Sequence, residues 1–389
     1  MVTQYIGRTT GQGRTTQHGF NGTDLGYFFK TNHGYVMSIF GDTSDGAFPG
    51  NPGWRSPVML RTSNKDLDNG VKWDNAVGGS RAKQVVNYQR NTDPNRNDQD
   101  HPFTVIPNDV VHLPNGTYLM SAHHVKSWER SGRFAWVTFC NRFYKSTQRD
   151  AENWEATDWA DLAGRGPVQF NNDGGAWRVF QNASLVVDGD YLYMFGTESG
   201  RARDGGIYLA RVPWREWDRL FSWQFWGWTG QRWEWGAPTP TPILQPSLYA
   251  GTIGEINVQV IEGTWYLSYM EYGEGSTWSA AVTRASDRPD GIWTAPQVHL
   301  TSWESPNPYS PSLHPYSTKD RAYMHLSQWT SGKFYGCHLF KLDPLHNAGK
   351  DDGLPDLSAL PFNSKNKAAE MFGRGDLRLT AAIRLKAGL

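Results

Sequence analysis

The sequence predicts an all-β fold, a five-bladed β-propeller with a short C-terminal extension that ends in a β-strand. Three observations carry this. Apolar or alternating runs of five to nine residues recur between Gly, Asn, Asp and Pro turns, as in GYVMSIFGD (34–42), YLYMFGTES (191–199) and GTWYLSYME (263–271). These runs fall into five groups, roughly 20–75, 100–160, 175–235, 250–295 and 305–342, each with three to four strands, the content of one blade. A polar knot ending in Trp follows the third strand: RTSNKDLDNGVKW (61–73), KSTQRDAENW (145–154), TRASDRPDGIW (283–293) and, more weakly, ARVPWREWDRLFSW (210–223). A two-sheet sandwich would not explain the repeated knot.

The propeller is expected over 1–342. The extension, 343–389, has no Trp or Tyr and closes on DLRLTAAIRLKAGL, where apolar and polar residues alternate with the period of a half-buried strand at 376–387. That strand either packs on the propeller, closing its last blade, or offers an edge to another subunit or a larger assembly.

Composition narrows the function. The 389 residues carry 38 basic and 38 acidic side chains, so nothing favours a polyanion and nucleic acid is not expected as a partner. No apolar run reaches the roughly 18 residues of a membrane helix. The start, MVTQYIGRTT, lacks the pattern of a secretory signal. Cys140 and Cys337 stand alone, and no HExxH, P-loop or dinucleotide motif is present, so neither metal nor cofactor is expected. The acidic loop NTDPNRNDQDHP (91–102) lacks the glycine and glutamate of a calcium loop. Aromatics are the surplus: 19 Trp, 17 Tyr and 18 Phe, 14% of the chain. Many should pack between blades. Trp54, Trp128, Trp177, Trp226, Trp228, Trp233, Trp235 and Trp303 fall in turn-like stretches, where a ring can stack on the apolar face of a sugar.

Candidate acids lie in the first blade. Asp24 and Asp42 flank a TNHG turn (31–34), with their midpoint at residue 33. In a regular hairpin they face each other with Cα atoms about 4.5–5.5 Å apart, which raises one pKa and suits acid–base work on a glycosidic bond. Alternatively one caps a turn, and a one-residue bulge would separate the two side chains to opposite faces. Glu255, in GEINVQV, sits in the first strand of its blade and could converge on Asp24; Asp109, in IPNDVV, and His314, in YSPSLHPYS, could line the same channel. Glu198 and Glu271, at strand ends, are lesser candidates.

The ordered segments TDLGYFF, FGDTSDG, WRSPVMLRTSN, YLYMFGTESGRARDGGIYLARV, GEINVQV and YSPSLHPYS resemble the DUF4185 group, which includes endo-acting D-arabinofuranosidases of glycoside hydrolase family 183. The likeness spans about residues 15–342. It implies hydrolysis of the α-linked D-arabinan of mycobacterial arabinogalactan and lipoarabinomannan. It places the family's aspartates on Asp24 and Asp42, its glutamate on Glu255, and substrate contacts on Arg55 and Arg201. Asp24 is expected as base or nucleophile, Asp42 as its partner and Glu255 as acid, with Trp54, Asp109, Trp226, Trp228 and His314 contacting substrate; inversion is preferred. The missing signal and the tail fit a bacteriophage tail component that docks to other virion proteins or self-associates, or else a trimmed secreted enzyme. The competing class is a non-catalytic glycan-binding propeller that serves as a phage receptor binder.

Overall fold

The structure, a computed structural model, describes residues 3–348 apart from 50–51, 147–149, 248–250, 274–277 and 333. Five antiparallel sheets follow one another along the chain, each meandering from an inner to an outer strand. Blade 1 is Leu25–Lys30, Val36–Phe40, Val58–Thr62 and Asn75–Ala76. Blade 2 is Thr104–His112, Tyr118–Ser127 and Val137–Ser146, with Trp154–Ala156 and Gln169–Asn171 both paired to its third strand. Blade 3 is Asn182–Asp188, Tyr191–Thr197, Tyr208–Pro213, Gln224–Trp228 and Trp233–Ala237. Blade 4 is Thr252–Ile261, Thr264–Tyr272, Ser279–Ser286 and Gln297–Thr301. Blade 5 is Pro308–Leu313, Tyr323–Thr330 and Phe334–Lys341.

The first strand of each blade packs on the first strand of the next, and blade 5 returns to blade 1, so the inner strands form a closed ring. The ring is sealed by the chain's own start. Gln4–Arg8 pairs antiparallel with Phe334–Lys341 as the outer strand of blade 5, Tyr5 opposite Phe340. The strand next to Phe334–Lys341 in the last blade is therefore the N-terminal Gln4–Arg8. The expected strand at 376–387 lies outside the described residues. Of the extension, 343–348 lies against blades 4 and 5: Leu345 is buried, its amide donates to the Lys319 carbonyl, and the His346 carbonyl accepts the Tyr266 hydroxyl.

Each Trp-ending knot joins the third strand to the outer strands of its blade, and its Trp fills the seam with the preceding blade. Trp293 of blade 4 meets Phe195 of blade 3 edge-on at 5.8 Å, and Trp223 of blade 3 meets Phe143 of blade 2 at 6.1 Å. Trp154 joins the apolar cluster shared by blades 1 and 2. Trp73 stacks on Phe28 and reaches the cluster that holds Leu339 of blade 5. Burying one such ring contributes several kcal/mol, on the order of the 3–5 kcal/mol lost when a core Trp is truncated. The knots are thus inter-blade wedges.

One irregularity recurs where it bears on function. In blades 1, 2, 4 and 5 the inner strand carries one extra residue relative to its partner, at Leu25/Tyr27, Pro107/Asp109, Ile253/Ile256 and Tyr309/Ser312. The inner strand of blade 3 pairs with its neighbour without a slip. A bulge bends the strand and re-aims its side chains. All four bulges lie at the same end of the ring, beside Asp24, Asn108, Glu255 and Tyr309.

Candidate active site

A cleft of about 900 Å³ opens at that end of the ring. Asp24, Asp42, Glu255, Asn108, His123 and Tyr309 lie at its base, and Trp128, Trp136, Trp303 and Trp329 line it higher up. A smaller cavity of about 430 Å³, lined by Lys30, His112, Val187 and Gln259, occupies the opposite ends of the same inner strands.

The bulge in blade 1 changes the expected geometry of the acid pair. Tyr27 opposes Ile39, but Leu25 opposes Phe40, so Asp24 falls opposite Gly41 rather than Asp42. Leu25 and Gly26 accomplish the slip with φ of 63° and 74°. The expected direct pairing is corrected, yet both carboxyls still face one cleft, because both lie beyond the last regular pair of the hairpin. Asp24 Oδ2 accepts the Tyr309 hydroxyl at 3.0 Å, the Tyr335 hydroxyl bonds the same carboxyl, and Oδ1 is buried without a partner.

Electrostatics then separate the two acids. Burial, and next the charge of Asp42, push Asp24 up to about 8 against the pull of the two tyrosines. Asp42 is raised too, chiefly by burial, but three groups oppose the rise: the Thr104 hydroxyl (2.7 Å), the Arg90 guanidinium and Trp54. Burial and the Asp42 charge thus favour the protonated form of Asp24, while Thr104, Arg90 and Trp54 favour the ionised form of Asp42.

Glu255 is ion-paired. Arg201 directs Nε and Nη2 at its Oε1, at 3.0 and 2.7 Å, while Oε2 is buried with no partner. Burial opposes the Arg201 charge, but Glu255 outweighs it and holds the guanidinium firmly protonated. The same guanidinium lies over the rings of Tyr272 and Trp136, at 4.8 and 5.2 Å. The preceding turn needs Gly200, where φ is 59° and a Cβ would collide with the Trp136 carbonyl.

Several expected substrate contacts lie elsewhere. Arg55 spends its donors on the protein: Nε on the Ala82 carbonyl, Nη2 on Gly19, and Nη1 on Gly53 and Asp45. It braces loops instead of facing the cleft. Asp109 points into the ring toward blade 3, accepting from Ser184 Oγ, Leu185 N and Val110 N; burial raises it to about 7. His314 is buried against Phe28 at 4.4 Å, and burial drops it to about 3. Trp226 and Trp228 belong to the fourth strand of blade 3, away from the ring, where Trp226 packs on Trp235. Trp54 backs Asp42 and carries the Arg90 guanidinium on its face at 3.7 Å. Of the lesser candidates, Glu198 pairs with Arg133 at 3.0 Å, and Glu271 accepts the Ser247 amide.

The cleft also holds side chains that sequence reasoning missed: Asn108, His123, Tyr272, Tyr309 and Tyr335. The one legible signal was the polar His123–His124 step inside the otherwise apolar GTYLMSAHHV run. Among the described residues no group of three His, Cys, Asp or Glu side chains is arranged to hold a metal ion.

A five-bladed propeller whose inner-strand bulges gather acids beneath an aromatic-walled cleft defines the architectural class. The chain belongs to the DUF4185 family, a domain of unknown function, whose model matches residues 10–341. Notoamide biosynthesis cluster protein J of Aspergillus sp. (strain MF297-2) is 28% identical over 338 residues, 84% of this chain and 84% of its own length. An uncharacterized 35.9 kDa protein of Mycolicibacterium smegmatis is 24% identical over 366 residues, 87% of this chain and 98% of its own. A solved protein of Bacteroides ovatus superposes with a TM-score of 0.56 at 13% identity, covering 84% of this chain and 87% of that one. Another, described as a glycoside hydrolase, superposes at 0.52 with 12% identity, covering 93% and 96%. The last two likenesses are of fold.

Proposed function

We propose that this chain is an endo-acting glycoside hydrolase that cuts the α-linked D-arabinan of mycobacterial-type arabinogalactan and lipoarabinomannan. The observation that carries the reading is the Asp24–Asp42 pair, whose surroundings split the two acids at the base of one cleft. The resemblance of the blade-one motifs to endo-D-arabinofuranosidases supports the substrate, as does the absence of net charge in a chain whose polymer is uncharged. A fold shared with a protein described as a glycoside hydrolase fits the same class.

The electrostatics favour a division of labour opposite to the one expected from sequence. Asp24, still protonated at neutral pH, delivers its proton to the leaving-group oxygen. Asp42, with Thr104 and Arg90 supporting its charge, activates water or attacks the anomeric carbon. Glu255, engaged by Arg201 through Oε1, fixes the guanidinium at the cleft base. Trp128 of blade 2 and Trp303, before blade 5, stand in different sectors of the cleft wall, so a polymer can lie across it; that favours internal cleavage. The polymer is a cell-envelope component, so the enzyme works outside the cytoplasm, on a virion or as a secreted protein.

Incubation with purified arabinogalactan tests the reading. Wild type should release oligo-arabinosides with new reducing ends, and Asp24→Asn or Asp42→Asn should release none. NMR of the first-formed anomer then assigns Asp42: an inverted product makes it a base and a retained one a nucleophile. Calorimetric binding of arabinan without any product would replace the hydrolase with a glycan-binding propeller.

A further inference from the structure

The side chain of His123 is set as a one-way hydrogen-bond acceptor in the cleft, and the chain of constraints that sets it can be followed atom by atom. His123 lies in Tyr118–Ser127, the second strand of blade 2, and lines the cleft beside Arg201, Trp136 and Asn182. Its Nδ1 is 2.6 Å from Asn108 Oδ1. Which end of the Asn108 amide faces the ring is decided by the other end, 3.2 Å from the Gln181 carbonyl, which can only accept. That end is therefore the NH2, and it also reaches Asn141 Oδ1 at 3.3 Å and Ser121 Oγ at 3.1 Å.

Asn141 is oriented in the same manner. Its NH2 donates to the Phe180 carbonyl at 2.9 Å, so its oxygen faces Asn108 and takes the Ser121 hydroxyl at 2.8 Å. Two backbone carbonyls, Phe180 and Gln181, thus orient both amides. Asn108 presents its oxygen to His123, the proton must sit on Nδ1, and Nε2 is left with a lone pair. That Nε2 is buried and has no partner among the described residues. Burial of the ring, which drops it to about 3, keeps it neutral at working pH.

We infer that His123 is a specificity-determining residue, whose Nε2 accepts a hydrogen bond from one hydroxyl of the bound glycan. This rests on the hydrolase reading above. Asn108 is a positioning residue for the same bond, and it stands at the inner-strand bulge of blade 2 for that purpose. A buried acceptor built for a hydroxyl penalises a sugar that lacks it, because the acceptor then goes unpaired.

The test uses the full chain and a panel of synthetic α-D-arabinofuranosyl oligosaccharides, each with one hydroxyl replaced by hydrogen. For wild type, one deoxy compound should lose about tenfold to hundredfold in kcat/KM relative to its parent. His123→Phe should lose a similar factor on the parent and nothing further on that compound. Independent losses that multiply would overturn the inference, as would a His123→Phe enzyme with unchanged kinetics. A measurement that needs no variant checks the tautomer: imidazole 15N spectra of wild type should show the proton on Nδ1, and a proton on Nε2 would sink the proposal. Wild type that neither cuts nor binds arabinan would instead sink the hydrolase reading, a separable outcome.

Discussion

Gly41 lies directly across the hairpin from Asp24. Its amide donates to the Asp24 carbonyl at 3.1 Å, and a Cβ built on it would stand 2.5 Å from Asp24 Oδ1. The glycine is there for space, since the unpartnered oxygen of the acid fills the volume that a methyl group would take. Gly41→Ala should therefore displace the Asp24 carboxyl while leaving the strand pairing intact. We expect kcat to fall by about a hundredfold, the cost of misplacing a reacting group by an ångström, with KM and Tm little changed. Equal activity in the alanine variant would show that Asp24 does not act from this position.

That relationship could not be read from residue spacing. Alternation and turn residues are local, so the five blades and their knots were legible in the chain. The slip at Leu25–Gly26 depends on long-range packing: a Cβ on Gly26 would collide with the His325 ring of blade 5. The closure by Gln4–Arg8 was equally hidden, since it pairs the two ends of the propeller. Arg55 looked like a sugar ligand because its acceptors, the Gly19 and Ala82 carbonyls, come from loops far apart in sequence. Tyr309 looked like an ordinary strand residue, and His123 showed only as a polar step in an apolar run. Only the bulges turn that end of the inner ring into a site.

The pH–rate profile follows from the split acids. Asp24 must be protonated to act as acid, and burial beside Asp42 places its loss of the proton near 8. Asp42 must be ionised, and it too is raised. The profile of kcat/KM should be a bell whose alkaline limb turns down near pH 8. Asp24→Asn should remove activity on arabinan, and a substrate with a good leaving group, such as an aryl α-D-arabinofuranoside, should recover part of it without the alkaline limb. A persisting limb near 8 would assign that proton elsewhere.

Stability should also peak near neutrality. His123, His124, His314 and His325 are dropped by burial from 6.5 to about 3, so the unfolded chain binds more protons than the folded one between those values and stability rises with pH there. Asp24 and Asp109 have the opposite sign. Burial raises them from 3.8 to about 8 and about 7, so the folded chain holds the extra protons and stability falls across that window. Below pH 6.5 these four histidines, joined by His338, which burial drops to about 4, outweigh Asp24, Asp109 and the likewise raised Asp42; well above 6.5 the aspartates dominate. Tm should therefore be greatest near pH 6–7, and Asp24→Asn should raise it far more at pH 8 than at pH 4. A Tm that keeps climbing from pH 7 to 9 would contradict the raised acids.

Arg201 and Glu255 should behave as one unit. Removing Arg201 leaves a buried carboxylate, which costs about 2–4 kcal/mol once the partial exposure of the guanidinium is allowed for. Arg201→Gln should therefore be unstable, and Glu255→Gln added to it should recover most of the lost stability. Activity should not return in the double variant, because the guanidinium over Tyr272 and Trp136 is gone. Urea unfolding and arabinan cleavage on the four members of the cycle measure both; purely additive stabilities would mean that the two side chains do not couple.

Trp303 and Trp329 are about half exposed, at 53% and 51%, and Trp128 is at 40%, yet all three line the cleft. Rings that exposed contribute little to folding, and their place on the cleft wall leaves their faces open to a ligand. If each stacks on a sugar unit away from the cleaved bond, its loss removes binding that is equal in ground and transition states. Trp303→Ala and Trp329→Ala should each raise KM on long arabinan by roughly fivefold, about 1 kcal/mol, with kcat nearly unchanged. On a substrate too short to reach the ring, the same variant should match wild type. The chain length at which the two curves separate then measures how far each Trp lies from the scissile bond, and an effect independent of length would place that ring at the bond itself.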